Sequence, residues 1–381
     1  MYSRILKTSD DSSFFLFGAR GTGKTSWVKE TFPDALLFDL LHDDTYTELL
    51  GRPSRLAERI PDSFTNWIVI DEIQKVPALL NEVHRLIEQR KLKFILTGSS
   101  ARTLRRKGVN LLAGRALTYH MYPLTALELG KDFNINRSLK FGTLPSAITH
   151  AEPKKYLQSY IKTYLREEIL QEGLTRNLST FTRFLETASF SQGEVLNYTN
   201  IAREVGSNRH TINQFFDILE DLLIAYRIQP FTKRAKREIV TSPKFYFFDT
   251  GIYQIIRPRG PLDTESEGDG PALETLFLQE AKAINDYFNL GYEIYYWRTR
   301  SKEEIDFVMY GEKGLYAFEI KRKSHLSPQD FKALKLFAQD YPMAKTYLLY
   351  GGNQSYFEGN IRVEPIATFI TQLHGLLEAK S

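Results

Sequence analysis

An α/β fold, a parallel sheet with helices on both faces, is predicted for residues 1–128 by three observations. Gly18-Ala19-Arg20-Gly21-Thr22-Gly23-Lys24-Thr25 fits G-x-x-x-x-G-K-[ST] and lies between an apolar run, Phe14 to Phe17, and a helix-like pattern from Ser26. Asn66-Trp67-Ile68-Val69-Ile70-Asp71-Glu72 is an apolar run that closes on two acids, as a strand buried on both faces would. Strand candidates at 14–17, 36–40, 67–70 and 94–97 alternate with helical patterns, which predicts parallel pairing.

The glycine-rich loop carries chemistry that follows from its backbone. Gly18, Gly21 and Gly23 let N–H groups turn inward around phosphate oxygens, with Ala19, Arg20, Thr22 and Ser26 completing the loop and the helix start. Lys24 is expected to reach the outer phosphates, and the Thr25 hydroxyl to hold Mg²⁺. Asp71 is the second candidate for that Mg²⁺, and Glu72 the group that polarises an attacking water. These residues point to ATP or GTP binding and hydrolysis. Ser99, after the 94–97 strand, is either a phosphate sensor or a helix N-cap. Arg115 and Arg102 are candidates for transition-state charge, in cis or toward a neighbouring subunit of a homo-oligomer; the alternative for each is a surface salt bridge.

The whole chain bounds these readings. Its 381 residues predict two to four units, and 42% hydrophobic with 25% charged residues is a globular balance. Net charge is only +4, so a nucleic-acid partner has to be argued from local patches. No apolar run reaches the roughly 18–20 residues of a membrane span, and the first residues lack a secretory apolar core. Cysteine is absent, which excludes disulfides, thiolate zinc sites and cysteine nucleophiles. A cytoplasmic address and no membrane partner are the expectation.

Residues 129–190 read as helical and stand where a lid over a nucleotide would, with Arg166 either reaching phosphates or lying on a charged helix face. Between 191 and 256 the pattern is helix, tight turn at Val205-Gly206, second helix, then two strands around Lys233-Arg234-Ala235-Lys236-Arg237: a winged helix-turn-helix. Arg209, His210 and Asn213 at the exposed start of the second helix are candidates for reading DNA bases. Lys233, Arg234, Lys236 and Arg237 on the wing are candidates for phosphate contacts. Plain packing against another part of the chain is the competing reading. Residues 257–271, dense in Pro, Gly and acids, read as a mobile linker.

The last stretch, 272–381, offers a helix followed by three strands near 293–297, 305–309 and 315–320. A symmetric turn at Gly311-Glu312-Lys313-Gly314 places Asp306 opposite Glu319 and Glu304 opposite Lys321. Opposed carboxylates repel, so a divalent metal held by Asp306, Glu319 and helix residue Glu274 would relieve them and activate water, with Lys321 steadying charge. The competing reading is a Glu304–Lys321 salt bridge beside two solvated acids.

Two resemblances sharpen these expectations. The phosphate loop, Ile70-Asp71-Glu72-Ile73-Gln74-Lys75-Val76-Pro77, Leu96-Thr97-Gly98-Ser99-Ser100, Leu112-Ala113-Gly114-Arg115 and Tyr122-Pro123-Leu124 resemble prokaryotic AAA-type ATPases that carry a C-terminal DUF4143 region. That implies an α/β P-loop AAA+ ATPase core with a helical lid, then a winged helix and a small α/β restriction-nuclease-like domain. Asp306 followed, after a twelve-residue gap, by Glu319-Ile320-Lys321 is similar to the PD-(D/E)xK nuclease pattern, with Ile305 where that pattern has proline. The expected function is ATP- and Mg²⁺-dependent turnover coupled to DNA binding and metal-dependent cleavage. The alternatives are a nucleotide-driven switch that binds DNA or protein without cutting, and an ATP-dependent assembly factor with a structural tail.

Overall fold

The computed structural model of the chain describes residues 2–100, 112–165, 178–260 and 265–378. Arg102 and Arg166 lie outside the described residues. Two compact units form, one from residues 3–122 with 221–223 and one from 123–220 with 224–381.

In the first unit, β1 (Ser13–Phe17), β2 (Leu36–Asp39), β3 (Trp67–Asp71), β4 (Lys93–Gly98) and β5 (Ala116–His120) make a parallel sheet in the order β2-β3-β4-β1-β5. Every residue of β1 and β3 is buried, as continuous apolar strands between two helical layers must be. The helix Leu79–Arg90 turns Leu79, Leu80, Val83 and Leu86 into the same core as Phe15, Ile68 and Leu96. That spacing is the 3.6-residue period, and each such side chain contributes about 1.5–3 kcal/mol of burial. Lys91 ends the helix in the left-handed region, its N–H on the Ile87 carbonyl at 3.1 Å. Because β4 lies between β1 and β3, the glycine loop after β1 and the acids closing β3 emerge at one edge of the sheet, on either side of the end of β4.

The second unit corrects two sequence expectations. Residues 257–271 are not wholly a linker, since a helix runs Glu265–Tyr287 with Pro271 inside it. Nor do the helical, helix-turn-helix and C-terminal stretches form separate bodies. Asp249 caps the helix Thr250–Ile256 by accepting the Ile252 N–H at 3.1 Å and also accepts the Thr143 N–H at 2.9 Å. Glu280 accepts the Ala126 N–H at 2.7 Å, so the long helix holds the chain just before the stretch expected to be a lid. Both carboxylates are fully enclosed; burial pushes Asp249 up to about 6 and Glu280 up to about 8.

Where the helix-turn-helix is expected stand two helices, Tyr198–Val205 and Arg209–Asp221, followed by an antiparallel pair, β6 (Ala225–Ile228) and β7 (Lys244–Phe247). A mixed sheet follows in the order β12-β13-β11-β10-β9-β8, from β8 (Glu293–Arg298), β9 (Glu304–Gly311), β10 (Gly314–Lys321), β11 (Lys345–Tyr350), β12 (Tyr356–Glu358) and β13 (Ile361–Pro365). The β6–β7 loop is not a free wing. Phe231 N–H donates to the Tyr296 carbonyl at 2.7 Å and Val240 N–H to that of Arg298 at 2.9 Å, so the loop covers the β8 edge of the sheet. Phe231 then inserts among Tyr295, Tyr310 and Tyr341.

Candidate functional site

The phosphate loop starts where β1 stops. Gly21 (φ 81°) and Gly23 (φ 93°) adopt the left-handed region that lets successive N–H groups turn to one side, and the helix Lys24–Thr31 begins immediately after. Lys24 is buried and folds back over the loop, donating to the carbonyls of Gly18 at 2.7 Å and Ala19 at 3.3 Å. Thr25 Oγ1 donates to Asp71 Oδ2 at 2.9 Å, across from Thr97, whose hydroxyl meets the other oxygen of Asp71. Burial raises the Asp71 carboxyl above its ordinary range, and the two hydroxyls work against that rise. A hydroxyl and a carboxylate brought together at a helix N-terminus are the hard oxygen donors that Mg²⁺ takes, and the glycine loop beside them suits a polyphosphate. The residues therefore fit a magnesium nucleotide.

Glu72 is held in a left-handed conformation (φ 60°, ψ 48°), strained for a non-glycine residue. Its N–H donates to Thr97 Oγ1 at 3.2 Å, and its carboxylate accepts from Ser99 at 3.2 Å and from the Gln74 amide. Gln74 also donates to Ser99 Oγ at 2.9 Å. Ser99 thus stands against the Glu72 carboxylate. Gln74 escaped the sequence reading of the site; its signal is Gly98, where an added Cβ would come within 2.7 Å of the Gln74 amide oxygen. Arg115 is half exposed and ion-paired with Glu88 of the Leu79–Arg90 helix, whose carboxyl it holds below the usual range.

The second cluster differs from its expectation. The β9–β10 register runs from Gly311 opposite Gly314 to Phe307 opposite Phe318, and its continuation sets Asp306 opposite Glu319, as the turn predicts. Where a metal is expected among Glu274, Asp306 and Glu319, the structure sets an amine against two of the three carboxylates. Lys244, the first residue of β7 and 1% exposed, reaches in between β9 and the long helix. Its ammonium is 3.4 Å from Asp306 Oδ1 and 3.8 Å from Glu274 Oε2, and ion-pairs with Glu304. Among the described residues no group of three or more His, Cys, Asp or Glu side chains is arranged to hold a metal ion. Sequence reasoning passed over Lys244 because it heads a strand that otherwise reads as core; a lysine opening Phe245-Tyr246-Phe247-Phe248 was the signal.

The surroundings fix this lysine in its charged form. Burial opposes the charge, yet Tyr246, Glu274, Asp306 and Glu304 together hold its pKa well above the ordinary amine value. Glu274 is pushed up to about 8 by burial and by the Asp306 charge, and accepts the Tyr246 hydroxyl at 2.7 Å. Asp306 Oδ2 accepts the Ile320 N–H at 2.8 Å, which pins β9 to β10. Lys321 pairs along its own strand with Glu319 Oε1 at 2.6 Å, not across to Glu304, which meets Arg298 at 3.0 Å. Burial drives Glu319 well above the carboxylate range, and its Oε2 is buried without a hydrogen-bond partner.

The candidate DNA-contacting residues separate into two kinds. Arg209, His210, Arg234 and Lys236 are exposed. Asn213 accepts from Arg227 at 3.1 Å, Lys233 pairs with Glu293 at 2.7 Å, and Arg237 pairs with Asp340 at 2.7 Å. These three are exposed as well, Lys233 and Arg237 keeping 44% and 39% of their side chains open to solvent.

Comparison with known proteins divides the chain into three stretches. Residues 10–130 match the AAA domain family, 132–263 a domain of unknown function (DUF8612) and 269–369 a domain of unknown function (DUF4143). The helix-turn-helix and β6–β7 thus fall under a family of their own rather than under DUF4143. An uncharacterized protein of Mycobacterium tuberculosis is 25% identical over 350 residues, 90% of this chain and 77% of the relative. An uncharacterized protein of Haemophilus influenzae is 24% identical over 293 residues, 71% and 70% of the two chains. Among solved structures, the Aeropyrum pernix ORC1 protein in complex with DNA matches with TM-score 0.30 and 13% identity over 65% of this chain and 87% of that one. No helix among the described residues is long and apolar enough to cross a membrane. The phosphate loop thus lies inside an AAA domain at residues 10–130, of the P-loop ATPase kind, the carboxylates Glu274, Glu304 and Asp306 inside a DUF4143 domain at residues 269–369, and Lys244 inside the DUF8612 match between them.

Proposed function

We propose that this chain hydrolyses ATP in its first unit and uses the cycle to govern engagement of DNA by its second unit, without cutting it. The observation that carries the ATPase reading is the contact of Thr25 with Asp71 beside a Glu72 carboxylate held by Ser99 and Gln74. Lys24, Thr25 and Asp71 would hold the magnesium triphosphate, and the metal supplies positive charge at the phosphate oxygens when bound. Glu72 takes the proton of the attacking water, and Ser99 and Gln74 aim its carboxylate. Exposed Arg209 and His210 at the start of the second helix, and exposed Arg234 and Lys236 on the β6–β7 loop, support the DNA reading. The lysine-bound carboxylates support engagement without cleavage.

Phosphate release by the purified protein, with and without duplex DNA, tests this reading. Turnover should be lost in Glu72→Gln and stimulated by duplex. Anisotropy titrations at low and high salt should show weaker binding and a shallower salt dependence for Arg234→Ala with Lys236→Ala. Turnover indifferent to DNA, with no measurable duplex binding, rejects the coupling.

A further inference from the structure

We propose that Lys244 is the resident cation of the β9–β10 carboxylate cluster: the chain supplies from β7 the charge that a divalent metal would otherwise bring, and with Lys244 in place the cluster takes up no such metal. The inference does not rest on the ATPase or DNA readings.

The geometry is that of an ammonium site. Lys244 Nζ lies 3.4 and 3.8 Å from carboxylate oxygens of Asp306 and Glu274 and ion-pairs with Glu304 as well, so a single ammonium faces all three acids. The amine stands between the long helix and β9, where a metal shared by Glu274 and Asp306 would have to sit, and a dication placed beside it would meet direct repulsion. The lysine is not a swinging surface chain. It is 1% exposed, and β7 is anchored by its ladder to β6 and by Phe245 N–H on the Glu194 carbonyl at 3.2 Å. Tyr246, two residues along the chain, binds Glu274 as well. Removing the lysine charge leaves the oxygens of Glu274, Glu304 and Asp306 facing one another with room for a cation.

The test is Mn²⁺ uptake by nucleotide-free protein, read from the free-ion EPR signal, for wild type, Asp306→Asn, Lys244→Met and Lys244→Met with Asp306→Asn. The expected result is equal uptake by wild type and Asp306→Asn, an additional bound Mn²⁺ in Lys244→Met, and its loss in the double variant. Near-UV circular dichroism reports whether the Lys244→Met protein is folded. Additional uptake absent from folded Lys244→Met overturns the proposal. So does wild-type uptake that exceeds that of Asp306→Asn, a comparison that needs no Lys244 variant. Sites in the first unit are common to all four proteins and cancel.

Discussion

Each unit sets a buried lysine close to acids at strand ends, and the two lysines are held in different ways. Lys24 lies over the phosphate loop with its ammonium on two backbone carbonyls, while Asp71 takes hydroxyls from Thr25 and Thr97. Lys244 sits among Glu274, Glu304 and Asp306 and is bound by charge. Neutral carbonyls give up an ammonium to an arriving polyphosphate at small cost; buried carboxylates do not, because separation strands both charges in a poor solvent. The same residue type therefore serves a ligand in one unit and the fold in the other.

The largest effect that would sharpen this contrast is on turnover. Glu72→Gln should lower phosphate release by about 100-fold or more, with ATP binding retained, whereas Lys24→Ala should lose binding; a Glu72→Gln enzyme near wild-type rate would remove Glu72 as the base. Next is stability. Lys244→Met should cost about 3–5 kcal/mol in a denaturant titration in EDTA, the range for breaking a buried pair on one side. Lys321→Met, a third exposed and ion-paired with Glu319 of its own strand, with Asp306 and Glu274 acting on it through charge alone, should cost less than that. Equal losses would mean that Lys244 is no more a structural cation than Lys321.

A third acid refines the comparison because its listener is a backbone amide and no cation. Glu280 ionises near pH 4.5 when unfolded and near 8 when folded. The unfolded chain therefore releases its proton first, and stability falls as pH rises from about 4.5 to about 8 and then levels. Glu280→Gln should flatten melting temperature over that window, an effect of about 4–5 kcal/mol at pH 8. A wild-type curve already flat between those pH values would refute the assignment. Smallest of all, Arg115→Ala should leave the melting temperature within error, since its pair with Glu88 is open to solvent. A tenfold drop in turnover in that variant would instead give Arg115 a role toward the phosphates.

Much of this was readable in the chain. The phosphate loop and the acid pair closing β3 announce themselves because their chemistry is local: a few adjacent residues make the whole device. The β9–β10 register was readable for the same reason, a short turn being enough to set which residues oppose. What stayed hidden depends on contacts distant in sequence. Lys244 and Asp306 are 62 residues apart, and nothing near either one reports the other. The Glu265 start of the long helix was masked by Gly268, Gly270 and Pro271, poor helix formers that tertiary packing overrides. Nor does the sequence show that the loop carrying the wing charges covers the β8 edge of the sheet, since its partners Tyr296 and Arg298 lie far along the chain.

The coverage of β8 by the 229–240 loop, together with the position of Lys244, carries a consequence for heredity and for engineering. The C-terminal sheet is not a portable module. Grafted onto another protein from residue 272 onward, it would expose a bare edge ready to recruit foreign strands and would keep its acids while leaving their counter-ion behind. Evolution can exchange the two segments only together.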